Sequence, residues 1–451
     1  MRTVLIFVVF ITIPGIQACN NMSFYEDSER ELDTDKYYDV LDHVAVYYPR
    51  GVALNFPGYI VGVEEAPRRM VATDISSVNF DESVYEAGYT VRRLAKALRY
   101  RSQFVSQIMR YEGKPYGEGN CYLYNLYHNH NSGFVKPCVF VQEPVVNAKY
   151  DSRYAFKNSW RALDILKTQL KDDITRNQYS HIIVAVMGLD TAQEEAIRNY
   201  KSIISSSRLN AGAEFKPLFI GVTWPSFYAN RWFDPVWEVL SYHPVADRAD
   251  ILGLTWLGVL LNDVVLPLSD RVEVSVIAHS FGARASSMGL CVGPAILPDN
   301  GVSIRKNRRG KIENFIGLAP AFSQSRFINE DYRFYENVYY KDYCPMINRF
   351  VFTASKSDEA FSPVFWSDAV GSHKYMKRYC ANKQPVDVSC ITVDRLGDIP
   401  DYRPEAKLTY IDTSILMKYT MPGTQGGGHS DVYRPEIGRL IWTILDEDNH
   451  K

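Results

Sequence analysis

The sequence predicts an α/β protein: a mostly parallel central sheet with helices on both faces. Two observations carry this. From Tyr154 onward, short apolar runs rich in Val and Ile alternate with amphipathic helical stretches, as when doubly buried strands are joined by crossover helices. The chain is also 451 residues long, enough for one large domain with insertions or for two domains.

The elements follow in order. Before Tyr154 the signals are mixed: residues 44–48 and 59–63 suit strands, 91–111 suits a basic helix, and 116–133, rich in Gly, Asn, Tyr and His, suits a loop. His128 and His130 have the spacing of a metal pair on a strand, but no carboxylate or third histidine lies near them, so a solvated loop is expected. Beyond, helices are expected over 159–174, 192–205, 250–266 and 435–445. Strands are expected over 181–187, 216–223, 272–278, 312–318, 349–355 and 407–413. Pro435 opens the last helix, where a missing N–H costs nothing. Such a sheet places its site at the carboxyl ends of its strands.

Composition narrows the function classes. The net charge is −2 and there is no basic stripe, which leaves no electrostatic case for nucleic acid. The 31 Tyr and 22 Phe suit aromatic-lined clefts as well as core. Residues 1–18 carry Arg2, an apolar run from Val4 to Ile13 and then small residues, the pattern of an export signal. The run ends Ile16-Gln17-Ala18-Cys19, which resembles a bacterial lipobox with Cys19 as the lipid-modified first mature residue. The alternative is ordinary secretory cleavage after Ala18. Six further cysteines, at 121, 138, 291, 344, 380 and 390, allow up to three disulfides in 15 connectivities, with the close pairs 121/138 and 380/390 the natural local ones. No other apolar run is expected to reach a membrane-spanning length.

The chemistry centres on residues 271–289, RVEVSVIAHSFGARASSMG. They read as a buried strand, a sharp turn and a small-residue helix with Ser280 at the corner. Such a turn presents a serine hydroxyl above a sheet, with small residues two positions either side so that strand and helix approach closely. Here they are Ala278 and Gly282. A serine becomes nucleophilic when an imidazole takes its proton and a carboxylate orients that imidazole; in the α/β-hydrolases, which such a turn resembles, the acid follows a late strand and the histidine precedes the last helix. Asp358 lies just beyond the strand 349–355, with Glu359 and Asp368 as rivals. His429 lies in a glycine-rich loop before the helix 435–445; His279, His373 and His450 fit that place less well. The oxyanion hole calls for two backbone amides, from the residue after the serine and from a turn after an earlier strand. Phe281 supplies the first, and Leu189 is the best candidate for the second, with Asp190 next.

Taken together, IIVAVMG at 182–188, IGVTWPS at 220–226, Tyr228, IAHSFG at 277–282, TASKSD at 353–358 and GGHSDVY at 427–433 resemble a bacterial family of α/β-hydrolases with little assigned activity. The resemblance covers about residues 154–449. It implies an α/β-hydrolase domain over 151–451, preceded by the signal peptide 1–18 and an N-terminal extension, 19–150, of unclear fold. Met187 stands where the family has the histidine of a His-Gly pair, and 325–345 and 362–406 read as insertions. The expected activity is that of a cell-envelope serine hydrolase, esterase or lipase-like. It would act on a small-molecule or lipid ester by way of an acyl-enzyme, with no cofactor or metal. The alternative is a non-catalytic envelope lipoprotein that keeps the scaffold for binding or assembly. Localisation is expected at the membrane through lipid on Cys19, or else in the periplasm or medium as a soluble protein.

Overall fold

The computed structural model describes residues 54–65, 103–114, 118–126, 136–139, 152–189, 191, 193–212, 215–226, 245–298, 309–327, 338–361, 369–382, 386–400, 402–418 and 427–446. The expectations for Cys19, residues 44–48, His128, His130, Asp190, Tyr228, Asp368 and His450 lie outside them.

The elements are β1 (Pro57–Glu65), β2 (Gln103–Glu112), β3 (Cys121–Asn125), β4 (Lys136–Pro137), α1 (Ser152–Arg176), β5 (His181–Val186), α2 (Gln193–Ala211) and β6 (Pro217–Thr223). Then come α3 (Val245–Leu268), β7 (Glu273–His279), α4 (Phe281–Cys291), β8 (Ile312–Leu318), β9 (Ile347–Ala354), α5 (His373–Ala381), β10 (Val388–Thr392), β11 (Leu408–Asp412) and α6 (Pro435–Leu445). Among the described residues the strands form one sheet of eleven in the order β10-β11-β9-β8-β7-β5-β6-β1-β2-β3-β4. From β10 across to β1 every pairing is parallel, and only β2 runs against the rest.

Crossover handedness assigns the helices to faces. The chain steps from β5 outward to β6, then back past β5 to β7 and on to β8. Right-handed crossovers therefore place α2 on one face and α3 and α4 on the other. The packing agrees: α6 lies against α2, while α1 and α4 each contact α3. The reversal makes a topological switch point between β5 and β7, where a crevice opens outside the strand ends.

The stretch read as an N-terminal extension supplies β1 to β4, so the sheet runs unbroken across position 150. Two expectations there are corrected. Residues 103–112 are a strand and not the end of a helix, because Phe104, Val105, Ile108, Met109 and Tyr111 are buried between β1 and β3. Residues 121–125, read as loop, are also a strand, with Tyr122, Leu123 and Tyr124 in the core. Both misreadings come from tertiary pairing overriding local composition. The segment 362–406, read as an insertion, contains α5 and the edge strand β10.

Helix α3 corrects a third expectation. It is 24 residues long and apolar enough to cross a membrane by length and composition, yet 83% of its most apolar window is buried inside the protein. It passes from α through a π segment, Leu260–Val265, into a 3-10 turn. Asn262 on the π segment donates to the carbonyls of Gly258 and Gly289, at 2.8 and 2.9 Å, and so ties α3 to α4. Nearby, Asp250 accepts two bonds from Arg284 (3.0 and 2.7 Å) and two from Arg326 (3.0 and 3.2 Å), all three side chains being buried. This network anchors the helix that follows Ser280. Three disulfides, Cys121–Cys138, Cys291–Cys344 and Cys380–Cys390, join β3 to β4, the end of α4 to the approach to β9, and α5 to β10.

Candidate active site

Ser280 stands at the switch point, between the end of β7 and the start of α4. Its backbone has φ 51° and ψ −122°, a conformation that costs a non-glycine residue about 1–3 kcal/mol and persists only where its surroundings impose it. Three contacts do so. The Ser280 amide donates to the Leu318 carbonyl at 3.0 Å, and the Ser280 carbonyl accepts from Ala321 at 3.1 Å. Gly282 passes so close to β5 that a Cβ there would lie 2.3 Å from the Val186 carbonyl oxygen. Ala278, two residues before Ser280, is buried and stands in register with Gly317 on β8 and Val186 on β5.

His429 bridges Ser280 and Asp358. Its Nε2 lies 2.8 Å from Ser280 Oγ, and its Nδ1 lies 2.8 Å from Asp358 Oδ2. A carboxylate only accepts, so Nδ1 carries the proton and Nε2 presents its lone pair to the serine hydroxyl. The Asp358 side chain is 1% exposed and that of His429 13%, so the chain of bonds is shielded but reachable at the imidazole. Asp358 Oδ1 accepts from the Ala360 amide at 3.1 Å, which fixes the carboxylate plane. The glycines before His429 allow its loop to meet the acid loop. Asp358 and Gly427 form a β-bridge, the Gly428 amide donates to the Ser357 carbonyl at 2.5 Å, and Gly427 sits at φ 61° with the Ser357 carbonyl 2.4 Å from where a Cβ would be.

The sequence rivals are placed elsewhere. His373 pairs with Asp412 at 2.9 Å. Glu359, next to Asp358, packs its side chain beside Gly427. His279 turns back under the histidine loop, its Nε2 3.0 Å from the His429 carbonyl oxygen.

The turn after β5 completes the arrangement. A Cβ on Gly188 would fall 2.7 Å from Ser280 Cβ, so this turn and the serine are in contact. The Met187 carbonyl accepts from the Trp224 indole at 2.9 Å, and the Met187 amide donates to the Tyr200 hydroxyl at 3.3 Å, which itself donates to the Val222 carbonyl at 2.5 Å. Thr191 exchanges bonds with Ser226 Oγ at 3.2 and 3.4 Å. Trp224 and Ser226 of the Trp-Pro-Ser motif therefore brace the turn that holds Leu189, a role the motif alone did not disclose. Met187 directs its sulfur at the Tyr433 hydroxyl, 3.7 Å away. The turn is thus fixed through backbone groups of residue 187, and its side chain adds a contact to the histidine loop.

No protein-family model matches the chain, and no curated protein or solved structure matches it significantly. The chemical reading rests on the geometry. Among the described residues, no cluster of three or more His, Cys, Asp or Glu side chains is arranged to ligate a metal. A serine hydroxyl aimed at a neutral imidazole whose tautomer is set by a buried carboxylate can transfer its proton as it attacks an electrophilic carbon. Phe281, the first residue of α4, brings its amide to the positive end of that helix, and Leu189 follows the glycine that touches Ser280.

Proposed function

We propose that the chain is a serine hydrolase of the α/β-hydrolase fold that cleaves carboxylic esters through an acyl-enzyme. The observation that carries the reading is the continuous Ser280–His429–Asp358 chain of two 2.8 Å contacts built on a strained strand-to-helix turn. Ser280 Oγ attacks the ester carbonyl while His429 Nε2 accepts its proton. Asp358 holds the imidazole in the productive tautomer and stabilises the imidazolium. The amides of Phe281 and Leu189 receive the oxyanion, and His429 returns the proton to the departing alkoxide. Water, deprotonated by His429, then attacks the acyl-Ser280 ester; the bond between the acyl carbon and Ser280 Oγ breaks, His429 returns the proton to Ser280 Oγ, and the acid is released.

The order of strand, serine, acid and histidine along the chain supports the fold assignment, as does the switch-point location. Three disulfides support an oxidising compartment and so the expectation of export. In this reading Cys19 carries lipid and tethers the enzyme to the envelope membrane; growth in labelled palmitate should mark wild type and not Cys19→Ser. The catalytic proposal is tested with a fluorophosphonate probe. Wild type should be labelled, and Ser280→Ala and His429→Ala should not. A folded wild type that resists the probe, or a Ser280→Ala variant labelled as strongly, would leave a scaffold used for binding.

A further inference from the structure

His279 precedes the serine but takes no part in the proton path described above. Its ring is buried, with Nε2 3.0 Å from the carbonyl oxygen of His429. A carbonyl oxygen only accepts, so His279 must carry its proton on Nε2. Its Nδ1 is then a lone pair, and it finds no hydrogen-bond partner among the described residues. That nitrogen lies 3.3 Å from where a Cβ on Gly188 would sit, and the His279 ring packs with those of His429 (4.8 Å) and Tyr433 (6.3 Å). Burial, reinforced by the neighbouring His429, pushes the His279 imidazole down to about 3.

The tethers around His429 give this contact its meaning. The imidazole of His429 reaches Ser280 and Asp358. Its backbone is held to the same two segments: the Gly428 amide bonds to Ser357, next to the acid, and the His429 carbonyl is held by His279, next to the serine. The short 3-10 turn at Gly428–Ser430 uses the carbonyl of Gly428 for its own closing bond, from Asp431 at 3.1 Å. The next carbonyl, that of His429, is the one His279 takes.

We propose that His279 is a positioning residue for the base: its Nε2–H holds the main-chain carbonyl of His429 and so sets where that imidazole stands between Ser280 and Asp358. This rests on the hydrolase reading. An imidazole suits the task because it donates without charge. A lysine or arginine here would set a cation beside the imidazolium that His429 becomes during turnover.

The test compares His279→Gln, whose side-chain amide can donate from nearly the same place, with His279→Leu, which fills the space without a donor. Gln should keep kcat within about 5-fold of wild type. Leu should lower kcat by about 100-fold with little change in KM, as expected when a reacting group is displaced by about 1 Å. Equal turnover in the two variants, high or low, would overturn the proposal. Histidine-selective 15N NMR of the wild-type protein, with the His279 signal assigned by its loss in His279→Gln, gives a readout that does not depend on activity. A neutral Nε2–H tautomer that does not titrate between about pH 5 and pH 8 is expected; an Nδ1–H tautomer, or titration in that range, would remove the contact on which the role depends. Failure of the fluorophosphonate probe on wild type would instead overturn the hydrolase reading, whatever tautomer His279 shows.

Discussion

The indole nitrogen of Trp224 donates to the carbonyl oxygen of Met187 at 2.9 Å, linking the ends of β6 and β5 directly beneath the turn that touches Ser280. The resemblance drawn from the sequence places the histidine of a His-Gly pair at this position, where the chain has Met187. The brace in this chain comes from Trp224 and Tyr200 acting on the backbone of Met187. Removing the indole donor while keeping the aromatic bulk, as in Trp224→Phe, should therefore lower kcat by roughly 10- to 100-fold and slow fluorophosphonate labelling in parallel, the scale of a disturbed oxyanion site. Met187→Leu keeps every backbone bond and nearly the same volume, so its kcat should stay within a few-fold of wild type. A Met187→Leu variant as impaired as Trp224→Phe would shift the bracing role to the thioether.

Asp358 and Glu359 are adjacent carboxylates, and only Asp358 meets the Nδ1 of His429. Replacing it with asparagine offers the imidazole a neutral partner that no longer enforces the tautomer. Asp358→Asn should lower kcat by about 10⁴-fold, whereas Glu359→Gln should change it by less than about 3-fold. Steady-state kinetics on a short-chain p-nitrophenyl ester would show both, and the reverse pattern would move the acid to Glu359.

The sequence was legible where one physical cause dominates. Buried parallel strands must be apolar over their whole length, so β5, β6, β7 and β8 could be placed to within a residue or two, and the glycines before His429 announced a loop that had to bend. The strands of residues 103–125 were not legible, because Gln103, Gln107 and Asn125 interrupt the apolar pattern and are buried all the same. Partners elsewhere in the chain explain two contacts in that region: Gln103 donates to the Arg248 carbonyl at 3.3 Å, and its own carbonyl accepts from the Trp256 indole at 2.7 Å. The roles of Trp224 and His279 were hidden for a related reason. Each acts by donating to a backbone carbonyl far away in sequence, and a carbonyl leaves no signature in residue identity.

The pairing of Asp412 with His373 should appear in the acid stability of the fold. Burial alone would raise the Asp412 carboxyl, but bonds from the Ser414 hydroxyl and amide and from His373 outweigh it and hold it below the usual carboxylate value. A carboxyl lowered in the folded state stabilises fully above its unfolded value, about 3.9, and loses that contribution as pH falls through the folded value. Wild type should therefore lose Tm more steeply than Asp412→Asn as pH falls below the unfolded value of about 3.9. Parallel Tm curves for the two proteins would show that this pair adds no pH-dependent stability.

The three disulfides close loops of different lengths, and that difference makes a quantitative prediction. Cys291 and Cys344 are 53 residues apart, while Cys380 and Cys390 are 10 apart. Loop-closure entropy in the unfolded chain then assigns about 4 kcal/mol to the first bridge and about 3 kcal/mol to the second. The first also joins the far end of α4, the helix that begins after Ser280, to the segment entering β9, whose far end leads to Asp358. Paired Cys→Ala replacement at 291 and 344 should thus lower the unfolding free energy more than the same replacement at 380 and 390. Under the proposed mechanism it should also reduce ester turnover in the still-folded protein, since, unlike the 380/390 bridge, it joins the helix that follows Ser280 to the strand that leads to Asp358. Denaturant unfolding, peptide mapping without reduction and steady-state kinetics would check each part; alkylatable thiols at 291 and 344 in protein purified under oxidising conditions would contradict the linkage itself.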